Sequence, residues 1–274
     1  MEILIFIFPL ISFIICKAPF FYKYINLACF LNAFFIILSF LIGLFHFVQL
    51  LGSNEGILTN KFHLFKVTYF DLDWVLKLDI FVFFIICLVT LTSSIIISYS
   101  IYFYKKNKSI LRNMGLISLS TFGILIFVSS NNLIHFFLGW QIVVMSTYQL
   151  VSIIKKNADD SRIFLHNRIS DLGMFFSIFI LYSLTKSYDF EIILNDNYYT
   201  RNDNFNLMGF KFKISEFSVF LLFFSYLLRF RQFFITNCIY DLRNINTPAL
   251  TQIFCSIYIP LGLYILMRFL PLVH

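Results

Sequence analysis

Residues 25–51 contain no Asp, Glu, Lys or Arg, and neither do residues 80–104. Helices apolar on every side over such lengths are poorly suited to the surface of a soluble domain. A bilayer requires about 17–25 such residues per crossing. Comparable runs recur near 2–16, 110–130, 131–154, 163–185, 214–236 and 247–268. The fold expected is therefore all-α and integral to a membrane, with about eight transmembrane helices. Composition agrees: 59% of residues are hydrophobic and 13% charged, against about 25% charged in soluble domains.

The formal charge of +7 does not point to nucleic acid. The basic residues sit in short connections between apolar runs, where they report orientation. Lys17 and Lys23 follow the first run, and Lys105, Lys106, Lys108 and Arg112 follow the third. Lys155, Lys156 and Arg162 follow the fifth, and Arg243 the seventh. The intervening connections balance Lys and Arg with Asp and Glu. This pattern predicts odd-numbered connections on the negative side of the membrane and the N-terminus on the positive side. Glu2 leads directly into apolar residues, with neither a basic signal-peptide start nor an Arg/Ser-rich transit pattern, predicting insertion where the chain is made. The 39 Phe and 15 Tyr suggest an AT-rich, organellar gene.

Outside the spans, residues 61–74 alternate apolar and polar side chains, predicting a small β-hairpin. The five Cys and five His lie at no metal-ligand spacing, and no phosphate loop or dinucleotide fingerprint is present. Redox cofactors are expected on other chains.

Chemistry concentrates in residues 129–173. Gly139-Trp140-Gln141 stands mid-span, and Arg168 and Asp171 open the next span at i, i+3, on one helical face where they can pair. Polar groups inside a membrane helix mark functional sites by default. Gln141 alternatively serves only as an interhelical hydrogen-bond partner. His135 and His166 lie near span ends, where they serve as proton relays or meet water and headgroups. Arg168 and Asp171 supply electrostatics to a proton path or anchor the helix.

These residues carry a resemblance to subunit 5 of NADH dehydrogenase, the antiporter-like membrane subunit of respiratory complex I. Tyr99-Ser100, Arg112, Ser118-Leu119, Asn131-Asn132, Gly139-Trp140, Tyr148, Phe164, Asn167-Arg168, Asp171 and Gly173 match the family in register. A second block, Arg229, Gln232, Thr247-Pro248, Gly262 and Arg268-Phe269, follows in the same order. The resemblance covers roughly 78–274. It implies leading helices and a polar loop over 1–77, then the first of two inverted antiporter-like repeats over 78–274. A separate chain would supply the second repeat.

The resemblance further implies a membrane-arm subunit of proton-translocating NADH:ubiquinone oxidoreductase in the mitochondrial inner membrane. FMN, iron–sulfur clusters and ubiquinone would lie on other subunits, with membrane lipids around this one. Three positions depart from the family's proton route. Its glutamate is Gln141, its lysine Arg229 and its histidine Phe254. Gln and Phe do not ionise, and Arg stays protonated. The chain then contributes a half-channel or only its scaffold, with Asp171 or water facing Arg229. The prolines after the family's lysine are also lost, leaving Asn237, Cys238 and Tyr240, and Arg231, Asp241 and Arg243 form a possible edge cluster. Two alternatives stay open: a non-pumping structural subunit of the distal arm, and a component of a stand-alone cation/proton antiporter.

Overall fold

A computed structural model describes residues 2–52, 57–67, 70–103, 110–154, 160–194, 204–207, 210–229 and 248–273. The long helices are α1 (Ile3–Lys17), α2 (Ile25–Gly52), α3 (Ile80–Phe103), α4 (Ile110–Ser129), α5 (Leu133–Ile154), α6 (Asp160–Thr185) and α8 (Ile214–Arg229). A short helix α7 (Phe190–Ile193) precedes α8. The last apolar segment joins α9 (Pro248–Thr251), a π segment (Gln252–Tyr258) and α10 (Ile259–Phe269).

Among the described residues, six helices are long and apolar enough to cross a membrane. Sequence patterning suggests about eight. The first of those, α1, has 15 residues and rises about 22 Å, short of a hydrocarbon core of about 30 Å. The seventh is described as far as Arg229, and residues 230–236 fall outside the described residues.

The expected hairpin forms and is longer than the alternation suggests. Strands β1 (Ile57–Val67) and β2 (Phe70–Asp79) pair antiparallel, with an irregularity between His63 and Phe65. A second hairpin, β3 (Asn204–Leu207) with β4 (Phe210–Lys213), occupies part of the 186–213 connection, which patterning gives only as a polar loop.

Helix α4 is the hub. Nearly its whole length is buried, from Ile110 to Ser129, and α1, α2, α3 and α5 all pack on it. Side chains of the first 77 residues, including Ile5, Cys16, Ala28 and Ile36, join the same buried cluster as α3 and α4. Asn32 ties three helices together. Its Nδ2 donates to the Ser12 carbonyl (3.3 Å), Cys16 Sγ (3.0 Å) and Ser118 Oγ (3.1 Å). Lipid offers no hydrophobic drive between helices, so such interhelical hydrogen bonds and close backbone packing hold them together.

Small residues set those approaches. A Cβ on Gly139 would stand 2.5 Å from the Phe127 amide nitrogen, and one on Gly123 would stand 2.8 Å from Ile142. Both glycines let α4 and α5 touch along their backbones. Against α8, α6 presents Ser170, Gly173 and Ser177 at helical spacing. Ser170 Oγ donates to the Ser225 carbonyl and Ser177 Oγ to the Ser218 carbonyl, each at 2.7 Å.

The connections after α2, α4 and α6 meet at one end of the bundle. Backbone bridges join Leu76 to Ser130 and Asn132 to Asp189. Arg268 pairs with Asp79 at 3.2 Å, and Lys77 with Glu191 at 3.4 Å. Of the basic residues predicted to share one side, Lys17 closes α1 and Arg112 opens α4, at the other end of the bundle.

Pro260 is expected to kink its span. The observed feature is the π segment immediately before it. Proline lacks an amide hydrogen and crowds the carbonyl four residues back, and a wider turn is one way a helix accommodates this. The Tyr226 hydroxyl donates to the Tyr258 carbonyl at 2.8 Å. Gly262 leaves room for that phenol, since a Cβ there would collide with the Tyr226 hydroxyl and ring.

Candidate functional site

The site is built where α5 meets α6 and α8. Trp140 is almost fully buried on α5. Its indole Nε1 donates to Asp171 Oδ1 at 3.1 Å. The other carboxylate oxygen, Oδ2, faces Arg168 Nη1 at 3.5 Å. The i, i+3 pair expected within α6 thus forms, at the long end of ion-pair geometry. Its Arg168 side chain is 45% exposed and its Asp171 side chain 10%. The stronger link is the interhelical one to Trp140, which spacing within α6 does not reveal.

Arg229 ends the described part of α8 and is buried, with 8% exposure. Its Nη2 donates to the Val144 carbonyl (3.1 Å) and to Thr147 Oγ1 (3.3 Å), both on α5. The hydrogen bonds of Asp171 run to Trp140 and Arg168, so of the two counter-groups expected for Arg229, Asp171 or water, the carboxylate is not in place, and Arg229 bonds to α5. The physical reason is placement: α5 puts its carbonyl and hydroxyl oxygens within direct reach of the guanidinium. A guanidinium remains protonated under all ordinary conditions, so α8 holds a permanent charge here.

Gln141 is half-buried on α5, one turn before Val144. It takes no hydrogen bond with any described residue, so neither Arg229 nor Asp171 is its partner. His135 stands in the first turn of α5 and is 5% exposed. The expectation of a water- or headgroup-facing imidazole is corrected: the Asn131-Asn132 turn and the segment around Tyr188 close over this end of α5, with Leu133 N–H donating to the Tyr188 carbonyl at 2.9 Å. His166 lies on α6 and Phe254 in the π segment, and the side-chain surroundings of both fall outside the described residues. So do Arg231, Gln232, Asn237, Cys238, Tyr240, Asp241, Arg243 and Thr247.

Two polar contacts lie outside the pairings expected from the sequence. Gln252 is fully buried at the start of the π segment and donates from Nε2 to Ser120 Oγ on α4 at 3.3 Å. Asp79 and Arg268 open and close apolar spans far apart in sequence, yet pair at the bundle end, with the Arg268 guanidinium 5.6 Å from the Phe190 ring centroid. Charge at a span boundary, with Arg268 in the second matching block, is the sequence signal for the Asp79–Arg268 contact, and a lone Gln in an apolar run is the signal for the Gln252 contact. Among the described residues no three His, Cys, Asp or Glu gather as a metal site.

A helical membrane bundle with a buried fixed charge and paired polar groups between facing helices has the architecture of ion-transport modules. Residues 130–274 match the family described as NADH:quinone oxidoreductase/Mrp antiporter, TM, and the chain belongs to that family.

Chain 5 of NADH-ubiquinone oxidoreductase from Acanthamoeba castellanii is 26% identical over 215 residues, which are 77% of this chain and 32% of the relative. The Chondrus crispus chain 5 is 24% identical over 243 residues, 87% of this chain and 36% of the relative. Subunit L of NADH-quinone oxidoreductase from Rickettsia bellii is 26% identical over 248 residues, 89% of this chain and 38% of the relative. This chain therefore spans about a third of the length of these relatives.

The fold is likewise shared with solved structures. The Mrp complex from Dietzia sp. DQ12-45-1b superposes with a TM-score of 0.78 at 14% identity, covering 100% of this chain and 28% of that one. Respiratory complex I from Thermus thermophilus with bound NADH gives 0.67 at 15% identity, covering 100% of this chain and 53% of that one. At these identities the likeness concerns fold alone.

Proposed function

We propose that this chain is a membrane-arm subunit of proton-translocating NADH:ubiquinone oxidoreductase in the mitochondrial inner membrane, and that it holds a fixed charge in place instead of relaying protons. The observation that carries the second part is Arg229. Its buried guanidinium is bonded to Val144 and Thr147. A relay needs groups whose pKa moves through the working range, and neither Arg229 nor Gln141 supplies one. What the pair Arg229–α5 supplies is a local positive potential and a lock between two helices. The homology to chain 5 and subunit L supports the first part.

On this reading NADH oxidation, FMN, the iron–sulfur clusters and ubiquinone belong to other subunits. The second antiporter-like repeat packs beside α8 and the last helix. The gene is organellar, the basic connections face the matrix, and the N-terminus faces the intermembrane space.

Purification tests the assignment. This chain is expected to co-migrate, in a mild detergent, with flavin- and iron–sulfur-containing subunits. A second reading, a component of a cation/proton antiporter, draws on the family itself, whose description names the Mrp antiporter beside NADH:quinone oxidoreductase. Migration with membrane subunits alone, free of flavin and iron, would select it.

A further inference from the structure

At the bundle end where α1 closes and α4 opens, a cleft of about 350 Å³ lies between α1, α4 and α5. Lys17, Tyr22, Arg112 and Gln149 supply its polar lining, and Phe13, Leu111, Leu116 and Leu119 its apolar wall. Lys17 closes α1 with its ammonium 5.6 Å from the Phe13 ring centroid. Arg112 stands in the first turn of α4, a 20-residue helix, whose dipole adds partial positive charge at that end. Both cations are exposed, and among the described residues neither pairs with a carboxylate. Gly115 shapes the floor: a Cβ there would come within 3.0 Å of Cys16 Cβ, so the glycine sets how closely α1 approaches α4.

We propose that this cleft seats the phosphate of an anionic membrane phospholipid. Lys17 and Arg112 bind the phosphate, and the Phe13–Leu119 wall takes the glycerol and first acyl carbons. Two arguments favour a lipid over free phosphate. The cations sit at a span boundary, at headgroup depth, where each contributes attraction to anionic lipid. A soluble anion would gain nothing from the leucine wall, whereas an acyl chain replaces water there. Basic pockets between membrane helices suit such headgroups for the same reasons.

Photoactivatable phosphatidylglycerol, added to membranes containing the intact complex, tests this. Peptide mapping should find labelling at Phe13–Tyr22 and Leu111–Leu119 above that on the α6 face bearing Phe175, Phe176 and Phe179, which are exposed and serve as a bulk-lipid reference. Lys17→Gln and Arg112→Gln should each reduce the excess about fivefold. Arg112→Lys should retain most of it, and Lys23→Gln, outside the cleft, should leave it unchanged. Undiminished labelling in the double variant would overturn the proposal. Displacement of the label by excess inorganic phosphate, with no preference for phosphatidylglycerol over phosphatidylcholine, would instead make this a free-phosphate site and refute the lipid assignment.

Discussion

Trp140 and Asp171 join α5 to α6 through one hydrogen bond of 3.1 Å, from a nearly buried indole to a carboxylate that also faces Arg168. Hydrogen bonds to charged groups contribute about 1.5–3 kcal/mol. Asp171→Ala leaves the indole N–H without its acceptor, whereas Trp140→Phe removes the donor and keeps most of the ring's packing. Thermal unfolding in detergent should show Asp171→Ala more destabilising than Trp140→Phe. The double variant should be less destabilised than the sum, with a coupling of about 0.5–3 kcal/mol. Additive losses would mean that the bond contributes nothing.

Gly139 faces backbone, and backbone cannot rotate away. Gly139→Ala places a methyl 2.5 Å from the Phe127 amide nitrogen and forces α4 and α5 apart. Overpacking of this kind costs about 1–3 kcal/mol or more. Membrane levels of the chain and its melting temperature should both fall. Gly52→Ala is the control, since nothing lies within 4 Å of a Cβ there, and it should be neutral.

The serine contacts between α6 and α8 differ from the close approach at Gly173 in a testable way. Ser170→Ala and Ser177→Ala each delete one hydrogen bond to a carbonyl of α8, worth about 0.6 kcal/mol apiece in a membrane. Gly173→Val instead drives bulk into Ser225, whose Cβ would lie 3.1 Å from the new Cβ. Stability measurements should rank Gly173→Val far below either alanine variant. The reverse order would show that the helices are held by the hydroxyls and not by close approach.

Asp79 and Arg268 pair at the bundle end with side chains 23% and 13% exposed. Removing one partner from such a partly buried pair is more damaging than removing both. Arg268→Gln should therefore lower the melting temperature more than the Asp79→Asn/Arg268→Gln double variant does. Equal losses would place the pair effectively in solvent.

Much of this architecture is legible in the sequence because lipid imposes a simple rule: helix length must match membrane thickness. Uncharged runs locate α2 and α3 directly, and alternation over 61–74 locates the first hairpin. The Arg168–Asp171 pair follows from spacing within one helix. What escapes is contact between segments distant in the chain. Nothing in the local pattern says that Trp140 reaches Asp171, that Arg229 bonds to Val144 and Thr147, or that Asp79 meets Arg268. The π segment before Pro260 escapes as well, because a proline announces a missing donor but not how the helix absorbs it. His135 is misread for a related reason. Proximity to a span end predicts exposure only when no neighbouring segment folds over it, and here the 188–190 segment does.

The central claim is that α5 and α8 frame a fixed charge and not a proton relay. It is tested most directly by protons translocated per NADH in proteoliposomes carrying the intact complex with Gln141→Ala. Gln141 is half-buried and bonds to no described residue, so assembly should survive. Arg229→Lys serves alongside as a variant that keeps the positive charge. The account predicts the wild-type ratio for both. A lowered ratio in an assembled Gln141→Ala complex, with NADH oxidation intact, would place Gln141 on the proton path and contradict it.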